Sequence, residues 1–386
     1  MKQLSKMMLA AVASVALAAP AFAWDFSASG SSSATFKQQT YAPAEGDATT
    51  TADFSSSAGG VTISSSNSDG ANSATFSYTA DYNSDGDALN FDEYVSVSGS
   101  KKVGNWTASS ATTQYMQKDS TAGTPMTSNG SAVITLTDGS ITYKLGNAAH
   151  LSTAEKTSDG PMDGTQDAEA SVDAFDGFSV GLGVGPGTLT VALEMGSTGS
   201  SKGAGDATYL GEGTGGGAAL TCGAQKTGFG LNFAGDVGAD LTFTYGSGSA
   251  AMGSGCTDNA SANAATYSVM GLGVAVPVGA MTIALDYGTN VALWTIDNAQ
   301  GGSANAGWEI SLVMPVGDAT AGVNLSSKAT ITTEDAVAVD ATVKGGTELW
   351  YTVPIGAVSL SAGYGSSAVV DGTTTTQLGA EMSMSF

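Results

Sequence analysis

Over long stretches of this chain apolar and polar residues alternate one by one. In residues 239–246 Leu241, Phe243 and Tyr245 alternate with Asp240, Thr242 and Thr244, and in 281–288 Met281, Ile283, Leu285 and Tyr287 alternate with Thr282, Ala284 and Asp286. A period of two is that of a β-strand with one apolar and one polar face. From about residue 131 onward such segments come in pairs joined by tight turns, at Asp138-Gly139, Gly185-Pro186-Gly187, Gly235-Asp236-Val237-Gly238, Pro277-Val278-Gly279, Pro315-Val316-Gly317 and Pro354-Ile355-Gly356. Each pair reads as a β-hairpin, set off from the next by a longer polar stretch. In the shared Pro-x-Gly form, Pro presets φ at the second turn position and Gly accepts the positive φ that follows, with the missing N–H outside the ladder. The last three turns lie 38 and 39 residues apart. That spacing holds a long loop and two strands of about ten residues, the length a tilted strand needs to cross a bilayer.

Placing the tight turns at one end gives thirteen strands from about residue 131 to 386. An even total then requires an odd number before residue 131. Taking Trp24 to Phe36, Leu89 to Ser98 and Val103 to Gln117 as strands gives sixteen, the favoured count, with a very long first loop. Adding Thr51 to Ser65 and Asn72 to Asn83 as a further hairpin gives eighteen, the alternative. The expected fold is all-β: a transmembrane antiparallel β-barrel with short turns at one end and long loops at the other.

Alternation alone fits a sandwich with a dry core as well as a barrel in lipid. Three features favour the barrel. The turns are short at one end only. Strands leaving them carry Tyr245-Gly246, Tyr287-Gly288 and Tyr364-Gly365, with Met195-Gly196 in the equivalent place, as an interfacial aromatic girdle requires. The chain stops on an alternating segment, Gln377 to Phe386, with a terminal aromatic. At the other end Met1, Lys2 and Lys6, the apolar run Met7–Leu17 and Ala21-Phe22-Ala23 have the form of a cleaved export signal over residues 1–23, so the expected mature barrel is 24–386. No later stretch is apolar for the roughly 20 residues of a spanning helix.

Composition narrows the chemistry. Lys and Arg number 12 against 35 Asp and Glu, a formal net charge of -23, and every basic residue is a lysine. A chain this acidic does not bind nucleic acid, and no arginine fork exists for any mechanism that needs one. One histidine and two cysteines argue against a His/Cys metal cluster or a Ser-His-Asp centre. No catalytic residue, metal or cofactor is expected, and the chain does not read as an enzyme. Asn83 to Tyr94 has acids at alternate positions but Ala88 and Tyr94 where a calcium loop needs Gly and Glu, and His150 reads as an incidental loop residue.

The export signal, the closing strand at Phe386 and the hairpin Ala132 to Gly146 around Asp138-Gly139 together resemble Gram-negative outer-membrane porins. The resemblance implies an outer-membrane location after export to the periplasm, contact with outer-membrane lipid and lipopolysaccharide, homotrimeric assembly, and Phe386 as the signal read by the assembly machinery. It also implies that residues 147–176 fold inward as a constriction loop, bringing Glu155, Asp159, Asp163, Asp167, Glu169 and Asp173 to the pore beside Lys144. The family sets such acids against an arginine cluster on the opposite wall, and this chain has no arginine.

With the apolar phase outward, the opposite phase carries Glu194, Asp286, Glu309, Glu348 and Glu381 into the lumen, with Lys144 the one base on a clear strand position there. A wall of one sign concentrates counter-ions within a Debye length of about 8–10 Å. The expected function is therefore a water-filled, cation-preferring channel for passive diffusion of small cations and hydrophilic solutes. The bland reading is that these acids only hydrate the wall, and that the loop acids are solvated or bridge lipopolysaccharide through divalent ions. Cys222 and Cys256 fall in consecutive long loops at one end, and the oxidising context makes them a disulfide candidate. The competing class is a secreted or surface-attached structural or adhesive all-β protein, which leaves Phe386 and the tyrosine level unexplained.

Overall fold

The computed structural model describes residues 25–83, 90–117, 131–158, 160, 175–197, 224–252, 265–289, 307–327, 343–369 and 372–385. Its regular elements are eighteen strands: β1 (Asp25–Ala42), β2 (Thr49–Ser68), β3 (Asn72–Asn83), β4 (Asn90–Val103), β5 (Trp106–Gln117), β6 (Ser131–Thr137), β7 (Ile141–Ala148), β8 (Phe175–Val184), β9 (Gly187–Ser197), β10 (Ala224–Asp236), β11 (Asp240–Met252), β12 (Ala265–Val278), β13 (Met281–Thr289), β14 (Gly307–Val316), β15 (Ala319–Ser326), β16 (Val343–Ile355), β17 (Val358–Val369) and β18 (Thr374–Ser385). Strands adjacent in sequence pair antiparallel, as in β10–β11 and β17–β18, and β1 pairs with both β2 and β18. The ladder thus returns to its start, the hydrogen-bonded order of an eighteen-stranded antiparallel barrel with no free edge.

The favoured count of sixteen is therefore corrected to the alternative of eighteen. The thirteen strands expected from residue 131 are β6 to β18, and the discrepancy lies before them, where β2 and β3 form the hairpin that the favoured count left in a loop. Ser and Thr dominate there and mute the apolar alternation. What holds these strands is pairing in register: Thr62 and Thr79, Ser73 and Ser100, and Ser96 and Thr113 are direct cross-strand partners, and each pair joins hydroxyl oxygens at 2.8 Å. Cross-strand hydroxyl pairs of this kind add to the stability of a ladder whose apolar face is sparse.

The tight turns differ in one respect from the sequence reading. The turning residues are Gly279-Ala280, Gly317-Asp318 and Gly356-Ala357, with Gly φ of 65°, 66° and 66°. The prolines lie earlier, inside the ladder, where Pro277 faces Thr282, Pro315 faces Thr320 and Pro354 faces Ser359. In a two-residue hairpin the pair next to the turn carries the mutual hydrogen bonds, so the following pair directs its N–H positions toward the strands on either side. The preceding strand has ended by then: its last partners are Ala275, Val313 and Thr352, two residues short of each proline. Proline therefore stands where no neighbour awaits its missing N–H.

The chain divides into two compact units, one built on Ser57–Leu136 and the other on Ser32–Ser56 with Thr137–Met384. In the first, Ile63 of β2, Tyr78 of β3 and Val95 of β4 lie in register on one face, next to Phe76 and Val97. In the second, the polarity of the sheet is inverted relative to a water-soluble protein. Leu193, Leu285, Ile310, Leu325, Leu349 and Leu378 are exposed, whereas Glu194, Asn232, Thr244, Asp286, Asn324 and Gln377 on the alternate phase are buried. The apolar phase extends to the end of β18, where Leu378 and Met382 are 56% and 53% exposed. Among the described residues few apolar ones are buried, the cluster being Leu151, Phe175, Ala192 and Val269. An apolar belt this continuous is stable against hydrocarbon and costly against water, at about 25 cal/mol per Å².

Leu285→Lys tests the belt. Near the bilayer midplane the substitution should cost about 2–4 kcal/mol, read as the shift in denaturant unfolding of protein folded into lipid vesicles; a face turned to water would lose no more than about 0.5 kcal/mol.

Candidate functional site: a segment docked on the polar face

The polar phase of the second unit carries a segment of the chain on it. Beyond β7, residues 149–158 and Gly160 lie across the strands rather than along them. His150 meets Ser179 of β8; the Ser152 carbonyl accepts from Asn232 Nδ2 of β10 (3.3 Å) and Thr244 Oγ1 of β11 (2.5 Å). Ala154 lies against Gly273 of β12. Lys156 and Thr157 bind Asp286 of β13, and Ser158 donates to Ser311 Oγ of β14 (3.3 Å) and accepts from Asn324 Nδ2 of β15 (2.6 Å). Gly160 lies against Glu348 and Trp350 of β16. Ten extended residues span about 33 Å and eight strand spacings about 38 Å. The extended length falls slightly short of the path along the wall, so the segment keeps these contacts only by running almost fully stretched while wall side chains reach toward it, all from the polar phase.

Small residues on the wall make room for it. A Cβ at Gly230 would overlap Leu151 Cδ1, and one at Gly273 would stand 2.8 Å from Asp286 Oδ1 and 2.9 Å from the Ala154 carbonyl oxygen. Both glycines are there for close approach and not for a special backbone conformation.

The root of the segment is His150. Its Nδ1 lies 2.9 Å from Ser179 Oγ and its Nε2 2.9 Å from the Gly146 carbonyl, and the ring packs tilted by 36° against Phe175, with centroids 4.6 Å apart. Burial holds its pKa below the ordinary 6.5; the Gly146 carbonyl opposes that shift, and the charge of Lys144, which faces Ser179 across the β7–β8 ladder, adds to it. The imidazole read from sequence as incidental is therefore an anchor.

The acids expected to line open water occupy the polar phase, and most of them are covered. Relative exposure is 3% for Glu194, 0% for Asp286, 0% for Glu309 and 1% for Glu348. Asp286 accepts hydrogen bonds from the segment, and Thr157 Oγ1 is 3.4 Å from Glu309 Oε2. Glu381 remains half-buried and accepts from Thr35 Oγ1 at 3.2 Å. On the segment itself Glu155 is exposed, while the Lys156 ammonium reaches Asp240 Oδ2 at 2.9 Å. Asp159, Asp163, Asp167, Glu169, Asp173, Cys222, Cys256 and Phe386 lie outside the described residues, as does the segment 1–23 expected to be an export signal. The sequence reading missed Asp240, Gly230, Gly273 and the amides Asn232 and Asn324. Their one shared signal is that all of them sit on the polar phase of strands whose other phase is apolar.

No family model matches this sequence, and no curated protein matches it either. Among solved structures the chain is similar to bacterial outer-membrane porins. An engineered variant of the Rh. blastica porin is 14% identical with a TM-score of 0.43, covering 94% of this chain and 100% of that one. OpdL of Pseudomonas aeruginosa is 9% identical at a TM-score of 0.49, covering 94% and 99%. The anion-selective porin from Comamonas acidovorans is 12% identical at 0.45, covering 94% and 100%.

His150 is the only histidine, so its imidazole resonances are unambiguous in an NMR titration of the protein in micelles. It should titrate below 6.5. The sign follows: a depressed folded-state pKa means the unfolded chain binds the proton more readily, so this contribution to stability is complete above pH 6.5 and is lost as pH falls from there through the folded value. A titration at or above 6.5 would place His150 in water.

Proposed function

We propose that this protein is a porin-like diffusion channel of a Gram-negative outer membrane, passing ions and small hydrophilic solutes without catalysis. The observation that carries the reading is the inverted polarity of a sheet whose strand order closes: apolar side chains exposed on one phase, hydroxyls, amides and carboxylates enclosed on the other. A ring of strands apolar outside and polar inside holds a column of water through hydrocarbon. The docked segment 149–160 narrows that column and serves as the constriction. Homotrimeric assembly and contact with lipopolysaccharide belong to the same reading.

Cation preference is the finer part of the proposal, and its basis shifts with the geometry. Glu194, Asp286, Glu309 and Glu348 are covered, so they act on ions only as buried field. The open contributors are Glu155 and the excess of 35 acids over 12 lysines in the chain as a whole. Lys156, the base beside Glu155, is held by Asp240, which limits its pull on anions.

Planar-bilayer recording of the refolded protein in a salt gradient tests both levels. Stable stepwise conductance is expected, with a reversal potential favouring cations that moves toward zero in Glu155→Gln. Folded protein with no conductance would return the chain to the class of surface structural proteins, and conductance with an anion-favouring potential would remove the charge argument alone.

A further inference from the structure

One carboxylate stands apart from the rest of the docking contacts. Asp286 Oδ2 accepts from the Lys156 N–H (2.9 Å), the Thr157 N–H (2.8 Å) and Thr157 Oγ1 (2.6 Å), and Oδ1 also accepts from the Lys156 N–H (2.9 Å). Two successive backbone N–H groups form a small anion-binding nest, here closed over a fully buried side chain. At Ser152 and Ser158 the segment's backbone is held by hydrogen bonds between neutral groups. Bonds to an ionised acceptor are roughly twice as strong. Asp286 also sits where the wall is hollowed, opposite Gly273 in the ladder, and a Cβ at that glycine would stand 2.8 Å from Asp286 Oδ1 and 2.9 Å from the Ala154 carbonyl oxygen and Lys156 Cγ.

We propose that Asp286 is the positioning residue of the constriction: its charge, gripped by the nest at Lys156-Thr157, keeps the middle of the segment against the wall and thereby sets the open cross-section. This rests on the channel reading for its consequence, not for its geometry. Glu309, the direct ladder partner of Asp286, meets the hydroxyl of the nest at a longer 3.4 Å, whereas Asp286 takes both N–H groups and that hydroxyl at 2.6–2.9 Å. The Lys156–Asp240 pair is not the holder either, since Asp240 is more than half exposed and an exposed pair contributes little.

The test uses the full-length protein refolded in detergent, with the barrel checked by heat-modifiable gel mobility. Lys156 is the only lysine between Lys144 and Lys202, so a lysine-specific protease reports the release of this segment by one defined cut. Asp286→Ala should raise the rate of that cut at least tenfold, raise single-channel conductance, and admit larger polyethylene glycols. Asp286→Asn, which keeps an acceptor and loses the charge, should fall between, and Asp240→Asn should leave cutting at the native rate. Thr157→Pro removes the second N–H and the hydroxyl of the nest from the loop side and leaves the wall untouched; since a proline after Lys156 blocks the cut itself, this variant is read by conductance and polyethylene glycol exclusion, both of which should shift toward a wider opening even if Asp286→Ala does not fold. Faster cutting in the variants with no conductance in any protein, native included, keeps the nest and removes the channel reading. Native cutting rates in folded Asp286→Ala, or native conductance and polymer exclusion in Thr157→Pro, overturn the proposal.

Discussion

A strand that crosses hydrocarbon has no water to receive an unpaired N–H or carbonyl. The closing of the ladder, with β1 bonded to β18 on one side and β2 on the other, is therefore the constraint on which the rest of this structure depends. Closure frees the side chains from any duty to make a dry core. It explains how β2 to β5, rich in serine and threonine, hold their places through register and hydroxyl pairs. The three hairpin prolines obey the same rule, since each stands two residues beyond the last partner of the preceding strand.

Once the apolar phase faces outward, the enclosed phase must be polar, and it has to be occupied by something that satisfies it. Here that is partly the chain itself. The segment from His150 to Gly160 presents backbone N–H and carbonyl groups to wall side chains that would otherwise face water alone. A stretched segment suits this task because its exposed backbone offers donors and acceptors at close intervals. Buried carboxylates become tolerable on such a wall because they receive several donors at once.

The pattern of alternation was a good guide where both phases differ strongly in polarity. Leu285 against Asp286 could be assigned to opposite faces by counting, and the thirteen strands after residue 131 followed from the turns. Counting failed in Thr51–Ser65 and Asn72–Asn83, where Ser and Thr occupy much of both phases and pairing rather than burial holds the strands. It also mistook the place of the prolines, because a turn motif shows which residues are near the reversal and not how far the neighbouring strand extends. Of the site, the phase of Glu194, Asp286, Glu309 and Glu348 was legible, but the cover over them was not.

What this sequence determined by itself is the period of two, its phase, and the positions of the reversals, since those depend only on neighbours along the chain. What the tertiary structure decided is that eighteen strands close the ring, that His150 anchors the segment, and that Asp286 is gripped by two N–H groups 130 residues earlier in the chain. Contacts between residues so far apart in sequence depend on which strands lie side by side and in what register, and no local pattern carries that information.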